Sequence, residues 1–238
     1  MITLISILSL GFFLGMRHAT DADHVVAVTT IVSRKNSIRS AAWTGIFWGI
    51  GHSITVLLFG GALVWFGLVV PRQLGLSLEF SVAMMLIILG TINLRTVFRS
   101  CRNIGRSHHQ RCEHSHDSPP AAPAPLDRRF GHSRIYRGVR PMIIGVVHGL
   151  AGSAAVTLLV LPMIGNAVWA LAYLLVFGLG TIAGMMLVTA AIAVPIRVAS
   201  NHSPKLHRYV GGFAGAGSFC FGVFLAYHIG FVEKLFAS

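Results

Sequence analysis

Residues 17–24 read Arg17-His18-Ala19-Thr20-Asp21-Ala22-Asp23-His24 and interrupt a long apolar run. Later apolar runs also carry histidine, in Gly51-His52-Ser53, in Val147-His148-Gly149 and in Tyr227-His228 at the end of the last. Each charge held at the centre of a bilayer costs about 2.5–3.5 kcal/mol even on the insertion scale. His18, Asp21, Asp23 and His24 therefore have to meet one another, water or an ion. Neutral imidazole with carboxylate is a ligand set for borderline divalent metals such as nickel, cobalt, zinc or copper. Holding such an ion is the chemistry these residue types point to.

Depth agrees with that reading. The runs carrying His18, His52 and His148 have centres near residues 17, 55 and 151. Each histidine lies within about three residues of a centre, or about 5 Å of helical rise. Three imidazoles and two carboxylates can then converge at one level. On a straight helix His18, Asp21 and His24 share one stripe, and Asp23 points away from its middle. His18 and His24 are also about 9 Å apart along the axis. Either the helix unwinds near Thr20–Ala22, or Asp23 reaches a neighbouring helix and supports a ligating histidine from behind. A competing reading makes Arg17 and Asp21 an i, i+4 ion pair, with the histidines satisfying buried polar contacts. His148 divides evenly between ligand and structural histidine, and Ser53 and Arg17 are secondary candidates. Tyr227-His228 suits an interfacial belt, and Asn93 suits a helix–helix hydrogen bond.

The elements that position these residues are membrane helices. Of 238 residues, 54% are apolar and 11% charged, and mean hydropathy is +0.72. A soluble domain is about 25% charged. The net charge of +12 would suit nucleic acid if the bases covered one solvated face, but they crowd into short stretches between apolar runs. The expected surroundings are a lipid bilayer, with no nucleic acid. At about 20 apolar residues per crossing, six spans are expected, over 2–32, 41–70, 80–98, 141–161, 167–195 and 209–231. Pro71, Pro141, Pro162 and Pro195 are expected at or just beyond span ends, where a missing N–H costs least. The first run lacks a basic leader and a small-residue cleavage site, so it is expected to be a span rather than a signal peptide. Cys101, Cys112 and Cys220 make no disulfide framework. Neither a GxxxxGK[ST] loop nor an HExxH helix occurs, and no enzyme activity is expected.

Sixteen of the 19 basic residues fall on the first, third and fifth connections. The positive-inside rule makes that side cytoplasmic and places both termini outside. The two halves are weakly alike. Aligning His18 with His148 also matches Gly15 with Gly145 and Val26 with Val156, and Gly49-Ile50-Gly51 falls on Gly178-Leu179-Gly180 one residue out of step. Three helices per half force the copies into opposite orientations, a common build for secondary transporters. The expected fold is thus all-α and polytopic, six transmembrane helices as a 3+3 inverted repeat. Residues 1–98 form the first half with the metal motifs, 99–140 a cytoplasmic His/Arg/Pro-rich loop, and 141–238 the second half.

At residues 17–24 the sequence resembles the signature of the nickel/cobalt transporter family: a histidine, four residues, then Asp-His on a membrane helix. Gly51-His52-Ser53 followed by Val56 resembles that family's second motif on the next helix. Longer members have eight helices and acidic residues in two later motifs. This chain instead has Gly145-Val146-Val147-His148-Gly149 and Gly180-Thr181-Ile182-Ala183-Gly184 there. In that respect it is similar to the shorter, six-helix branch associated with urease accessory genes. The resemblance implies that His18, Asp21, Asp23, His24 and His52 bind the ion. It also implies secondary transport of Ni2+ or Co2+ across the cytoplasmic membrane, as uptake or, alternatively, export. The cation is cargo, with no permanently bound cofactor, and the partners expected are cytoplasmic metallochaperones or urease and hydrogenase maturation proteins. A reading from a different class makes His18, His52 and His148 axial ligands of a membrane haem.

The third connection carries His108, His109, Cys112, His114 and His116, then a Pro/Ala linker. These side chains suit an accessory metal-binding segment at the cytoplasmic mouth, although their spacing matches no closed zinc motif. The plainer alternative is a solvated basic loop that only orients the protein.

Overall fold

A computed structural model describes residues 2–33, 37–67, 71–106, 134–150, 166–202, 204–233 and 235, and among these every regular element is helical. The elements are α1 (Ile2–His18), α2 (Ala22–Val32), α3 (Ile38–Phe66), α4 (Arg72–Arg106), α5 (Arg134–Leu150), α6 (Ala167–His202) and α7 (Pro204–Tyr227). A π-helical turn, His228–Val232, closes the last helix. Among the described residues, four helical stretches are long and apolar enough to cross a membrane: Ile38–Phe66, Arg72–Arg99, Ala167–Val198 and Tyr209–Val232. Ile5–His18, Ala22–Val32 and Gly138–Leu150 are shorter and apolar. Large apolar side chains such as Phe13, Leu58, Val168 and Phe213 are exposed, the inverse of a soluble surface. The chain is a polytopic, all-helical membrane protein.

The first apolar run is not one helix. The Thr20 amide and hydroxyl both donate to the Arg17 carbonyl, at 2.8 and 2.6 Å, and the Asp21 amide donates to the His18 carbonyl at 3.1 Å. This tight turn consumes the carbonyls that would continue α1. Asp21 then adopts an extended conformation (φ −60°, ψ 147°) as the residue from which α2 starts. The sequence expectation for the prolines also needs correction in part. Pro71 does precede a helix, but Pro141 lies inside α5 and Pro195 inside α6. Membrane bundles tolerate an interior proline because neighbouring groups re-satisfy the freed backbone. Pro162 and the rest of 151–165 lie outside the described residues.

Packing runs α1 along α6, α5 along α3, α3 along α6 and α4 along α7, with α2 touching α4, α6 and α7. These helices approach closely because glycine faces backbone. A Cβ on Gly15 would meet the Phe177 carbonyl and the Thr181 amide, and one on Gly145 would meet the Trp48 carbonyl and the His52 amide. Gly180 sits in the same way against the Phe12 carbonyl, and Gly51 against that of Met142. Without a hydrophobic force between helices in lipid, such small-residue contacts and interhelical hydrogen bonds carry association. Asn93 supplies one, donating from α4 to the Gly211 carbonyl of α7 at 2.8 Å, as its type suggested. Ser218 donates back to the Leu86 carbonyl at 3.0 Å.

One methyl group at Gly180 should force two backbones apart, an overpacking cost of about 1–3 kcal/mol. Gly217 has nothing within 4 Å of the corresponding position. Gly217→Ala should leave stability unchanged or raise it by up to about 1 kcal/mol through helix propensity. Thermal unfolding in detergent compares Gly180→Ala with Gly217→Ala, and equal midpoints would contradict the close α1–α6 approach.

Candidate metal site

The break after α1 turns His18 and His24 toward each other. Their ring centroids are 4.6 Å apart, well under the separation that a continuous helix would give them. α3 brings in His52, whose ring centroid is 5.1 Å from that of His18 and 5.3 Å from that of His24. α5 brings in His148, 4.1 Å from His24. His24, His52 and His148 are fully buried, and His18 is 8% exposed. His18, His24 and His52 each offer a ring nitrogen within 4.8 Å of the others, and so, as a second group, do Asp23, His24 and His148 with one ligand atom each.

The carboxylates order the rings. Asp21 Oδ2 accepts from His18 Nδ1 at 2.8 Å, Asp23 Oδ1 faces His24 Nδ1 at 3.1 Å, and Asp23 Oδ2 faces His148 Nε2 at 2.9 Å. An ionised carboxylate only accepts, so each of those nitrogens carries the ring proton and the other keeps its lone pair. The free nitrogens are then His18 Nε2, His24 Nε2 and His148 Nδ1. His18 Nε2 lies 3.2 Å from His52 Nε2, while His24 Nε2, His52 Nδ1 and His148 Nδ1 are buried with no hydrogen-bond partner among the described residues. A carboxylate behind a histidine that aims its far nitrogen inward is the arrangement metal-binding histidines use.

Both sequence alternatives for residues 17–24 occur together: the helix breaks at Ala19–Asp21, and Asp23 also reaches His148 on another helix. Asp21 pairs with His18 rather than with Arg17, whose side chain is exposed. Ser53 donates to the Gly178 carbonyl at 3.0 Å and so ties α3 to α6. His108, His109, Cys112, His114 and His116 lie outside the described residues. The 3.2 Å between His18 Nε2 and His52 Nε2 leaves no slot for a porphyrin, so the geometry gives the haem reading no support. Sequence reasoning missed the walls of the site. Trp48 stacks on His24 at 5.9 Å and meets His148 edge-on at 5.7 Å, while Phe177 lies 5.6 Å from His18. Trp48, one helical turn before His52, was the available signal.

An all-helical bundle that crosses the membrane several times and gathers imidazoles and a carboxylate at one buried point has the make-up of a transporter. Residues 4–209 match the NicO family, described as high-affinity nickel-transport protein. The chain belongs to that family. It is a nickel transporter by family and not an enzyme. It is also 35% identical over 239 residues to the urease accessory protein UreH of Bacillus sp. (strain TB-90), a match that covers 99% of this chain and 96% of the relative. No solved structure matches the chain. The likeness to nickel/cobalt transporters read from residues 17–24 and 51–56 is borne out.

Trp48 should report on the cluster. A paramagnetic ion held by His24 or His148 would sit beside the indole and quench its fluorescence. Titrating detergent-purified protein with Ni2+ should lower tryptophan emission saturably, and Trp48→Phe should remove most of the change. Unaltered quenching in Trp48→Phe would place the bound ion elsewhere.

Proposed function

We propose that the chain takes up Ni2+ or Co2+ through the buried cluster of His18, His24, His52, Asp23 and His148, as a secondary transporter of the cytoplasmic membrane. The observation that carries this reading is the approach of His18 Nε2 to His52 Nε2, at 3.2 Å, with His24 Nε2 unpartnered nearby. Two imidazoles sharing an ion at about 2.0–2.1 Å put their nitrogens at such a separation. In this reading Asp21 positions His18 rather than touching the ion, and Asp23 does the same for His24 and His148 when it is not itself a ligand. Thr20, Asp21 and Ala22 are exposed at the break, which gives the cluster a side from which an ion can arrive.

The membrane potential favours the inward direction. A divalent cation gains about 4.6 kcal/mol on entering a cell at 100 mV, so uptake needs no nucleotide. The topology proposed is six crossings, with the α1–α2 pair counted as one and the fourth over 141–161, of which 151–161 lie outside the described residues. The basic connections, including 99–140, are cytoplasmic and both termini are outside. The halves 1–98 and 141–238 then form an inverted repeat. Contacts that correspond between halves support it: Gly15 on Phe177 is matched by Gly145 on Trp48, and Gly180 on Phe12 by Gly51 on Met142. The relative's printed name, urease accessory protein, supports delivery of the ion toward urease maturation. The His-rich loop at 108–116 is proposed as a cytoplasmic buffer on that route.

Radiolabelled nickel or cobalt uptake by cells expressing wild type or His18→Ala tests the proposal, and equal accumulation would sink it. Asp21→Ala should weaken Co2+ binding by about 10–100-fold while leaving the fold intact, the usual cost of removing the group that orients a ligand. Equilibrium titration of the purified protein measures that loss.

A further inference from the structure

The five side chains do not form one site of five ligands. Among the described residues they fall into two groups of three, His18–His24–His52 and Asp23–His24–His148, and within each group the ligand atoms all stand within 4.8 Å of one another. His52 and His148 belong to different groups, with ring centroids 6.1 Å apart. His24 is central, at 4.6 Å from His18 and 4.1 Å from His148. Its two nitrogens divide accordingly, with Nδ1 on Asp23 and Nε2 unpartnered.

Resting on the proposed uptake function, we infer that the cluster is a pair of overlapping stations for a single divalent ion, with His24 common to both, and that the ion passes from one to the other during transport. Because both stations use His24, one ion occupies one station at a time. The first is made of three neutral imidazoles, and the second adds the carboxylate of Asp23. To occupy the second, the ion replaces the hydrogens that Asp23 shares with His24 Nδ1 and His148 Nε2. Each ring keeps its single proton by moving it to the other nitrogen, so no proton is gained or lost. The outer histidine of each station is braced by an aromatic ring from the opposite half, His18 by Phe177 and His148 by Trp48. A small relative movement of the halves would therefore alter both of these contacts together and shift His148 against His24.

Co2+ binding to the purified protein, read by d–d absorption and equilibrium stoichiometry, tests this together with radiolabelled Co2+ uptake into proteoliposomes. In a background with His108, His109, Cys112, His114 and His116 replaced by serine, which removes the loop's ligands, the otherwise wild-type cluster should bind one ion per chain. His18→Ala and His148→Ala should each still bind one ion, with spectra that differ from each other, and both should lose uptake by at least tenfold. His24→Ala should lose binding at those concentrations. His18→Gln and His148→Gln, which keep side-chain bulk, carry the same expectation should an alanine variant fail to fold. Wild-type uptake by a His148 variant, or loss of the bound ion in either outer-histidine variant, would overturn the two-station arrangement while leaving a single-site transporter standing. A wild-type chain that binds no cobalt would overturn the uptake reading as well.

Discussion

The interruption of the first apolar run at Ala19–Asp21 is the constraint on which the polar centre depends. A continuous helix would hold His18 and His24 about 9 Å apart along its axis, each needing its own partner in an apolar bundle. The turn brings their rings to 4.6 Å and frees the carboxylates on either side to take different directions. Asp21 turns back to His18. Asp23, in the first turn of α2, lies where the exposed amides of a helix start favour negative charge, and from there it reaches both His24 and His148. Buried polar groups are costly unless paired. Here the pairing is nearly closed, and what stays open is a set of ring nitrogens with lone pairs.

The rest of the bundle serves that opening by allowing close approach. His52 and His148 reach the cluster only because α3 and α5 run nearly in backbone contact. Gly145 lies against the Trp48 carbonyl and the His52 amide, and Gly149 against the His52 carbonyl. Side chains there would push His148 away from Asp23. Thr55 secures the same seam by donating to the Val146 carbonyl at 3.3 Å. Packing and chemistry are thus coupled through single residues. The glycines that bring the helices together are the neighbours, in sequence or in space, of the histidines that meet between them.

The chemistry was more legible in the sequence than the backbone that delivers it. Ionisable residues are so rare in apolar runs that His18, Asp23, His24 and His52 stood out by type, and depth arithmetic placed the histidines at one level. On sequence alone the helix break is one of two alternatives. Neither glycine nor proline marks it, and it comes from the Thr20 hydroxyl and amide competing for one carbonyl. Pro141 and Pro195 misled in the opposite sense, since proline ends helices in water more reliably than in a bundle that can re-satisfy the backbone. His148 was evenly balanced on sequence because its partner, Asp23, lies more than a hundred residues away, a contact that only the packing of α5 reveals. Trp48 was marked only by its place one turn before His52, and Phe177 was invisible as a site residue because nothing about an aromatic in an apolar run separates a wall from a core.

A transporter faces a requirement that a storage site does not: the ion must be held well enough to shed its water and loosely enough to leave. Five ligands on one ion, shut inside a dry bundle, would satisfy only the first half. Dividing them into two triads with His24 in common lowers the number of bonds at each stop, and the next stop offers replacements before the first set is lost. The principle is the one by which channels combine selectivity with throughput, several moderate sites in place of a single deep one. The unequal charge of the triads gives the exchange a bias. The imidazole triad leaves the ion's charge uncompensated, whereas the triad with Asp23 cancels one unit of it. The carboxylate therefore sets the order of preference between the two positions, and the relative motion of the halves has only to work against that difference.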